Sequence, residues 1–129
     1  MKRIVIADDS GTARMFIRRC LDIVGCAEAE YAEAANGKEV LEILKDRPAD
    51  MVVTDLNMPE MNGLDLLKRI KASPRLNETP VLVITSAANP ERVQELERWG
   101  AMAVLSKPIS PATLAPVLAE FLDNEEDAD

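Results

Sequence analysis

In this chain four short apolar runs lead into residues that can do chemistry. Ile4-Val5-Ile6-Ala7 runs into Asp8-Asp9, and Met51-Val52-Val53-Thr54 runs into Asp55. Val81-Leu82-Val83-Ile84 ends at Thr85, and Ala103-Val104-Leu105 reaches Lys107 through Ser106. Each run is too short for a helix and rich in Val, Ile or Leu, which reads as a strand buried on both faces of a parallel sheet. The carboxyl ends of such strands lie along one edge, where open α/β sheets bind their ligands. Acidic groups, a hydroxyl and an ammonium would meet there.

Crowded carboxylates repel one another. At ~5 Å and an effective dielectric near 20, each pair costs about 3 kcal/mol. Proton uptake, Lys107 or a cation must relieve that cost. An all-oxygen site suits Mg²⁺ better than zinc or copper. A divalent ion would let a phosphoryl group approach a carboxylate that otherwise repels it. Attack by that carboxylate gives an aspartyl phosphate, with Lys107 and the Thr85 hydroxyl placed to bind the phosphoryl oxygens.

The elements that must position these residues follow from periodicity. A helix is expected from about Gly11 to Val24, with Phe16, Ile17, Cys20, Leu21 and Val24 inward, capped by Ser10 or Asp9 and closed by Gly25. Glu28–Ala32 reads as a charged edge strand. A second helix covers Lys38 to Arg47, and a third is marked by Leu64, Leu67 and Ile70 after a loop at Glu60–Gly63 that needs a flexible backbone. Asn89-Pro90 opens a fourth helix, which runs to Trp99 and is closed by Gly100. Leu114, Val117, Leu118 and Phe121 face inward from the last helix. Pro116 lies inside that helix if Ser110 is its cap, and in the first turn if Thr113 is. The alternation of strand and helix implies a doubly wound (βα)5 fold with a five-stranded parallel sheet.

The 129 residues make one domain, 47% hydrophobic but 3% aromatic, so the core is aliphatic. The net charge of −8 and the lack of a basic cluster argue against nucleic acid as a partner. No apolar run is long enough to span a bilayer and no secretory signal precedes Met1, so a cytoplasmic protein without a membrane partner is expected. Cys20 and Cys26 are expected as reduced, partly buried thiols. The chain has no histidine, which removes Ser-His-Asp and Cys-His mechanisms. Any phosphohistidine must come from another protein.

Taken together, Asp8-Asp9, Asp55 followed by Asn57-Met58-Pro59 and Gly63, Thr85, and Lys107-Pro108 resemble the receiver domain of bacterial response regulators, above all single-domain CheY-like members. The resemblance covers nearly the whole chain. It implies the flavodoxin/CheY-like strand order 2-1-3-4-5, a receiver domain over residues 1–124 and an acidic, disordered tail over 125–129. It implies Asp55 as phosphoacceptor and Mg²⁺ held by Asp9, Asp55, the Asn57 backbone carbonyl and, through water, Asp8. Thr85 and Lys107 would engage the phosphoryl group, with Lys107-Pro108 often a cis bond. The implied partners are a sensor histidine kinase or histidine phosphotransfer protein and a downstream target protein, met as a monomer or a phosphorylation-linked dimer. The implied function is a stand-alone switch that phosphorylates and dephosphorylates itself rather than a turnover enzyme, with chemotaxis among the pathways that fit.

The resemblance departs from the family pattern at Val104, where many receivers carry Tyr or Phe three residues before the lysine. Coupling must then run through Thr85, the following loop and the fourth helix. Rival readings are a receiver-fold interaction module that works without phosphorylation, a flavodoxin-like cofactor binder and an Asp-nucleophile phosphatase. Asp8-Asp9 would repel a cofactor phosphate, and Asn57 stands where a phosphatase wants a second carboxylate. With an acidic tail right after the last helix, no DNA-binding output domain is expected, and the output is expected to be another protein. In the family, Asn57 and Ala87, two residues past Thr85, are the positions that set phosphoryl lifetime. Ala87 offers no side chain to block or orient an attacking water. Enlarging Ala87 is therefore expected to change the rate of phosphoryl loss in a timed release assay, and an unchanged rate refutes this.

Overall fold

The computed structural model describes residues 1–127, apart from the side chains of 120, 121 and 123–127. Five strands form one parallel sheet in the order β2-β1-β3-β4-β5. They are β1 (Arg3–Ala7), β2 (Glu30–Ala34), β3 (Met51–Asp55), β4 (Val81–Thr85) and β5 (Ala103–Ser106). The crossovers carry α1 (Gly11–Leu21), α2 (Gly37–Asp46), α3 (Gly63–Ala72) and α4 (Pro90–Arg98), and α5 (Pro111–Asp127) follows β5.

The aliphatic strands divide their side chains between two cores, as alternation demands. Val5, Ala7, Val52, Val81 and Val83 pack with Val40, Leu44, Leu66, Leu67, Ile70 and Leu96 of α2, α3 and α4. Ile4, Ile6, Met51, Val53, Leu82 and Ile84 pack with Ile17, Cys20 and Leu21 of α1 and Leu114 and Leu118 of α5. Each of the first four helices starts on a side chain that caps it: Ser10, Asn36, Asn62 and Asn89 accept from the amides of Ala13, Glu39, Asp65 and Arg92.

Several local expectations are corrected. Regular α1 stops at Leu21, and a wider π-type turn over Asp22–Cys26 follows, with Gly25 at φ 121°. That turn delays β2, which pairs Arg3 with Glu30 through Ala7 with Ala34 rather than starting at Glu28. Phe16 faces outward and is 47% exposed. Cys20 and Cys26 are both buried rather than partly buried. Ser110 Oγ accepts from the Thr113 amide at 3.2 Å, so Ser110 caps α5 and Pro116 lies inside the helix. Leu114 and Leu118 are buried as expected, while the side chain of Phe121 and the last residues of the acidic tail, 128 and 129, lie outside the described residues. Lys107-Pro108 is cis, as the resemblance implies.

The loop after β3 is the sharpest local constraint. Its left-handed residue is Glu60, at φ 66°. Gly63 serves a different purpose, close approach: a Cβ there would collide with the Asp55 carbonyl oxygen and lie 3.0 Å from the Leu56 Cα. Its amide donates to the Leu56 carbonyl at 2.8 Å. Gly63→Ala must push the backbone of Asp55 and Leu56 away, so it is expected to destabilise the fold by roughly 1–3 kcal/mol in urea denaturation. An unchanged midpoint would show that this contact is not tight.

Candidate functional site

The sheet register assembles the site. Ile4 pairs with Met51 and Ala7 with Thr54, so Asp8 and Asp55 leave adjacent strands side by side. One carboxylate oxygen from each of Asp8, Asp9 and Asp55 lies within 4.8 Å of the others. Asp8 and Asp55 are buried, and Asp9 is exposed. Lys107 reaches across from the end of β5, with Nζ 2.9 Å from Asp8 Oδ2 and 3.4 Å from Asp55 Oδ2. Backbone amides complete the shell: Ser10 donates to Asp8 Oδ1 at 2.9 Å and Leu56 to Asp55 Oδ1 at 2.8 Å.

The electrostatics follow from that packing. Burial pushes the Asp55 carboxyl above its ordinary range, and the Asp8 charge adds to the rise. Lys107 and the Leu56 amide oppose it without cancelling it. Burial pulls the Lys107 ammonium down, but its hydrogen bond to Asp8 and the charges of Asp55 and Asp8 outweigh burial and raise it. Lys107 is thus a firmly held cation between two carboxylates.

The other expected residues sit near this cluster without joining it. Ile84 pairs with Asp55, so Thr85 stands one residue beyond on the neighbouring strand. Its hydroxyl is buried and accepts from the Ala87 amide at 3.0 Å. The Lys107 amide donates to the Thr85 carbonyl at 2.9 Å, which ties the two strand ends together. Asn57 is the first exposed residue after β3. Val104 is partly buried and packs against the α2–α4 core. Trp99 ends α4, is 47% exposed and lies under Lys68 Nζ at 4.6 Å from the ring centre, a cation–π contact with α3. A cavity of ≈ 590 Å³, lined by Ala13, Phe16, Ile17, Ile84, Pro108 and Ile109, opens beside Ser10 and Lys107.

One residue at the site escaped the sequence reading. Arg14 Nη1 donates to the Asp8 carbonyl at 2.6 Å while its Nε donates to Glu33 Oε1 at 2.8 Å. The available signal was spacing: Arg14 follows the capping Ser10 by one helical turn and so faces the same loop.

The donor set fits a hard divalent cation. It is all oxygen, it gathers acidic groups at one sheet edge, and Asp9 keeps it open to solvent. Sulfur and imidazole ligands are absent among the described residues near it, which disfavours zinc or copper.

Comparison with known proteins agrees with this geometry. The family model for the response regulator receiver domain matches residues 4–119. Chemotaxis protein CheY-3 of Vibrio cholerae is 38% identical over 94% of this chain and 92% of its own length. Chemotaxis protein CheY1 of Helicobacter pylori is 35% identical over 96% of this chain and 99% of its own. The solved structure of chemotaxis response regulator CheY4 of Vibrio cholerae superposes with a TM-score of 0.81 at 32% identity, covering 93% of this chain and 98% of that one.

The raised Asp55 carboxyl has a stability consequence. A carboxyl whose folded-state pKa exceeds its unfolded value costs stability once pH rises through that folded value. Asp55→Asn should therefore raise the thermal midpoint of the metal-free protein at neutral pH. The gap should close as pH falls through the raised Asp55 pKa, where the native residue takes up its proton. A lower midpoint for the variant at pH 7 would mean that the Lys107 pairing outweighs burial.

Proposed function

The chain belongs to the response regulator receiver domain family, and from that premise we propose that it is a stand-alone phosphoryl switch with Asp55 as the acceptor. Receiver proteins of this CheY-like kind are signalling switches in phosphorelays. They bind Mg²⁺ at an acidic pocket and interact with histidine kinases and downstream targets. The observation that carries the reading for this chain is the convergence of Asp8, Asp9 and Asp55 within 4.8 Å, with Lys107 between Asp8 and Asp55.

A carboxylate oxygen of Asp55 forms the new bond to phosphorus as the donor's N–P bond breaks. The electron pair of that bond leaves on the donor imidazole nitrogen, which then takes a proton. The donor histidine belongs to a sensor kinase or histidine phosphotransfer protein, since this chain has none. The carboxylates of Asp9 and Asp55, the backbone carbonyl of Asn57 and, through water, Asp8 would hold Mg²⁺, which would supply the charge compensation that lets an anion meet an anion. Lys107 then transfers its interaction from the carboxylates to the phosphoryl oxygens. The Thr85 hydroxyl, now engaged by the Ala87 amide, turns to join it. Asn57 in place of a second carboxylate supports a switch that is charged and discharged, not a turnover enzyme.

The phosphoryl group carries about −1.5 to −2 where the carboxylate carried −1, and this added charge biases the face made by α4, β5 and α5, which binds a downstream target protein. With Val104 in β5, the coupling runs from Thr85 through the following loop to α4. The working unit is the receiver domain over 1–124, with the acidic 125–129 segment as its tail, acting in the cytoplasm as a monomer or as a dimer formed on phosphorylation. The chemotaxis names of the relatives make chemotaxis the pathway to test first.

Labelling with acetyl phosphate and Mg²⁺ is the direct test. Asp55→Ala should abolish incorporation while circular dichroism stays native, and persistent labelling would overturn the acceptor assignment. A pull-down with and without beryllofluoride, a phosphoryl mimic, should capture a target protein in the activated state.

A further inference from the structure

The proposed cation site needs Asp9 to point steadily into the cluster, yet Asp9 is exposed and no hydrogen bond or ion pair among the described residues fixes its carboxylate. Its direction must come from the main chain between Asp8 and Ser10. The Asp8 amide donates to the Ala34 carbonyl at 3.0 Å, and the Ser10 amide closes on Asp8 Oδ1 at 2.9 Å. The Asp8 carbonyl, which belongs to the peptide group joining Asp8 to Asp9, is held by Arg14 Nη1 at 2.6 Å. The other arm of that guanidinium is anchored on β2 by Glu33, at 2.8 Å.

We infer that Arg14, braced by Glu33, is a positioning residue that fixes the Asp8–Asp9 peptide so that the Asp9 carboxylate is presented to the cation. The inference rests on the Mg²⁺ reading above. A planar guanidinium can span two acceptors in a fixed geometry, whereas a lysine ammonium is a flexible point charge that cannot hold both arms. Glu33 has a second effect. An unpaired guanidinium beside the cluster would repel a divalent cation, and the carboxylate of Glu33 offsets that charge locally. The fork therefore fixes the backbone at little electrostatic cost to metal binding.

Two variants of the full chain separate geometry from charge. Arg14→Lys keeps the charge and loses the fork, and the double variant Arg14→Gln with Glu33→Gln loses the fork at unchanged net charge. Mg²⁺ alone is titrated into each by calorimetry. The dissociation constant should rise by about tenfold or more in both, the usual effect of removing an outer-shell partner. At saturating Mg²⁺ the maximal rate of acetyl phosphate labelling should return to the native value, because Arg14 acts through Asp9 and touches no reacting atom. In the metal-free protein, hydrogen exchange at the Ser10 amide should speed up in both variants. Native Mg²⁺ affinity in the variants, tighter binding in both, or native protection at Ser10 would each overturn the inference. Failure of the native chain to bind Mg²⁺ would remove the metal reading itself and, with it, this inference.

Discussion

The molecule is built around a repulsion held in check. Three carboxylates are brought within reach of one another at the end of a sheet, and the Lys107 ammonium lies between two of them. Without that counter-charge, the buried Asp8 and Asp55 would face each other unscreened in a site where an effective dielectric near 20 makes each pair cost about 3 kcal/mol. The raised Asp55 carboxyl is the trace of this tension, since burial and Asp8 win over Lys107. A cation at the cluster, or an anionic group that drew Lys107 away from the carboxylates with it, would relieve that tension.

Only a stiff scaffold can keep like charges together, and the anchoring of the helices is uneven in a way that serves a switch. The central strands β3 and β4 are buried at every residue. The α3 helix, which follows Asp55, buries Gly63, Leu66, Leu67 and Ile70. The α4 helix, which follows Thr85, buries Leu96 alone, with Val93 half-buried. The element next to Asp55 is fastened, and the element next to the Thr85 hydroxyl is lightly held. Stability distributed in this way lets a change at the cluster move α4 without loosening the carboxylates.

Much of this was legible in the sequence because the signals are chemical and local. Aliphatic runs ending in Asp8, Asp55, Thr85 and Lys107 name the strands, their common edge and the residues on it. Weaker features depended on partners that spacing cannot name. The start of β2 is set by pairing with β1 and by the extra residues taken up in the Asp22–Cys26 turn, not by the polar alternation of Glu28–Ala32. Phe16 sits at core spacing on α1 but faces outward, since Ile17, Cys20 and Leu21 already fill that face. The cap of α5 was undecidable between Ser110 and Thr113 until the hydroxyl-to-amide geometry was seen.

The deeper reason why part of the site was hidden is that it is built on main-chain atoms. Asp8 and Asp55 announce themselves by type, but their precision comes from groups that every residue carries. The Asp8 carbonyl is held from α1 by Arg14, and the Asp55 carbonyl is crowded from α3 by Gly63. The Leu56 amide takes one oxygen of Asp55 and thereby decides which way the other one faces. Residues with no chemistry of their own thus set the aim of those that have it. A sequence holding all three carboxylates and the lysine, but lacking room at position 63, would keep the chemical groups and lose their alignment.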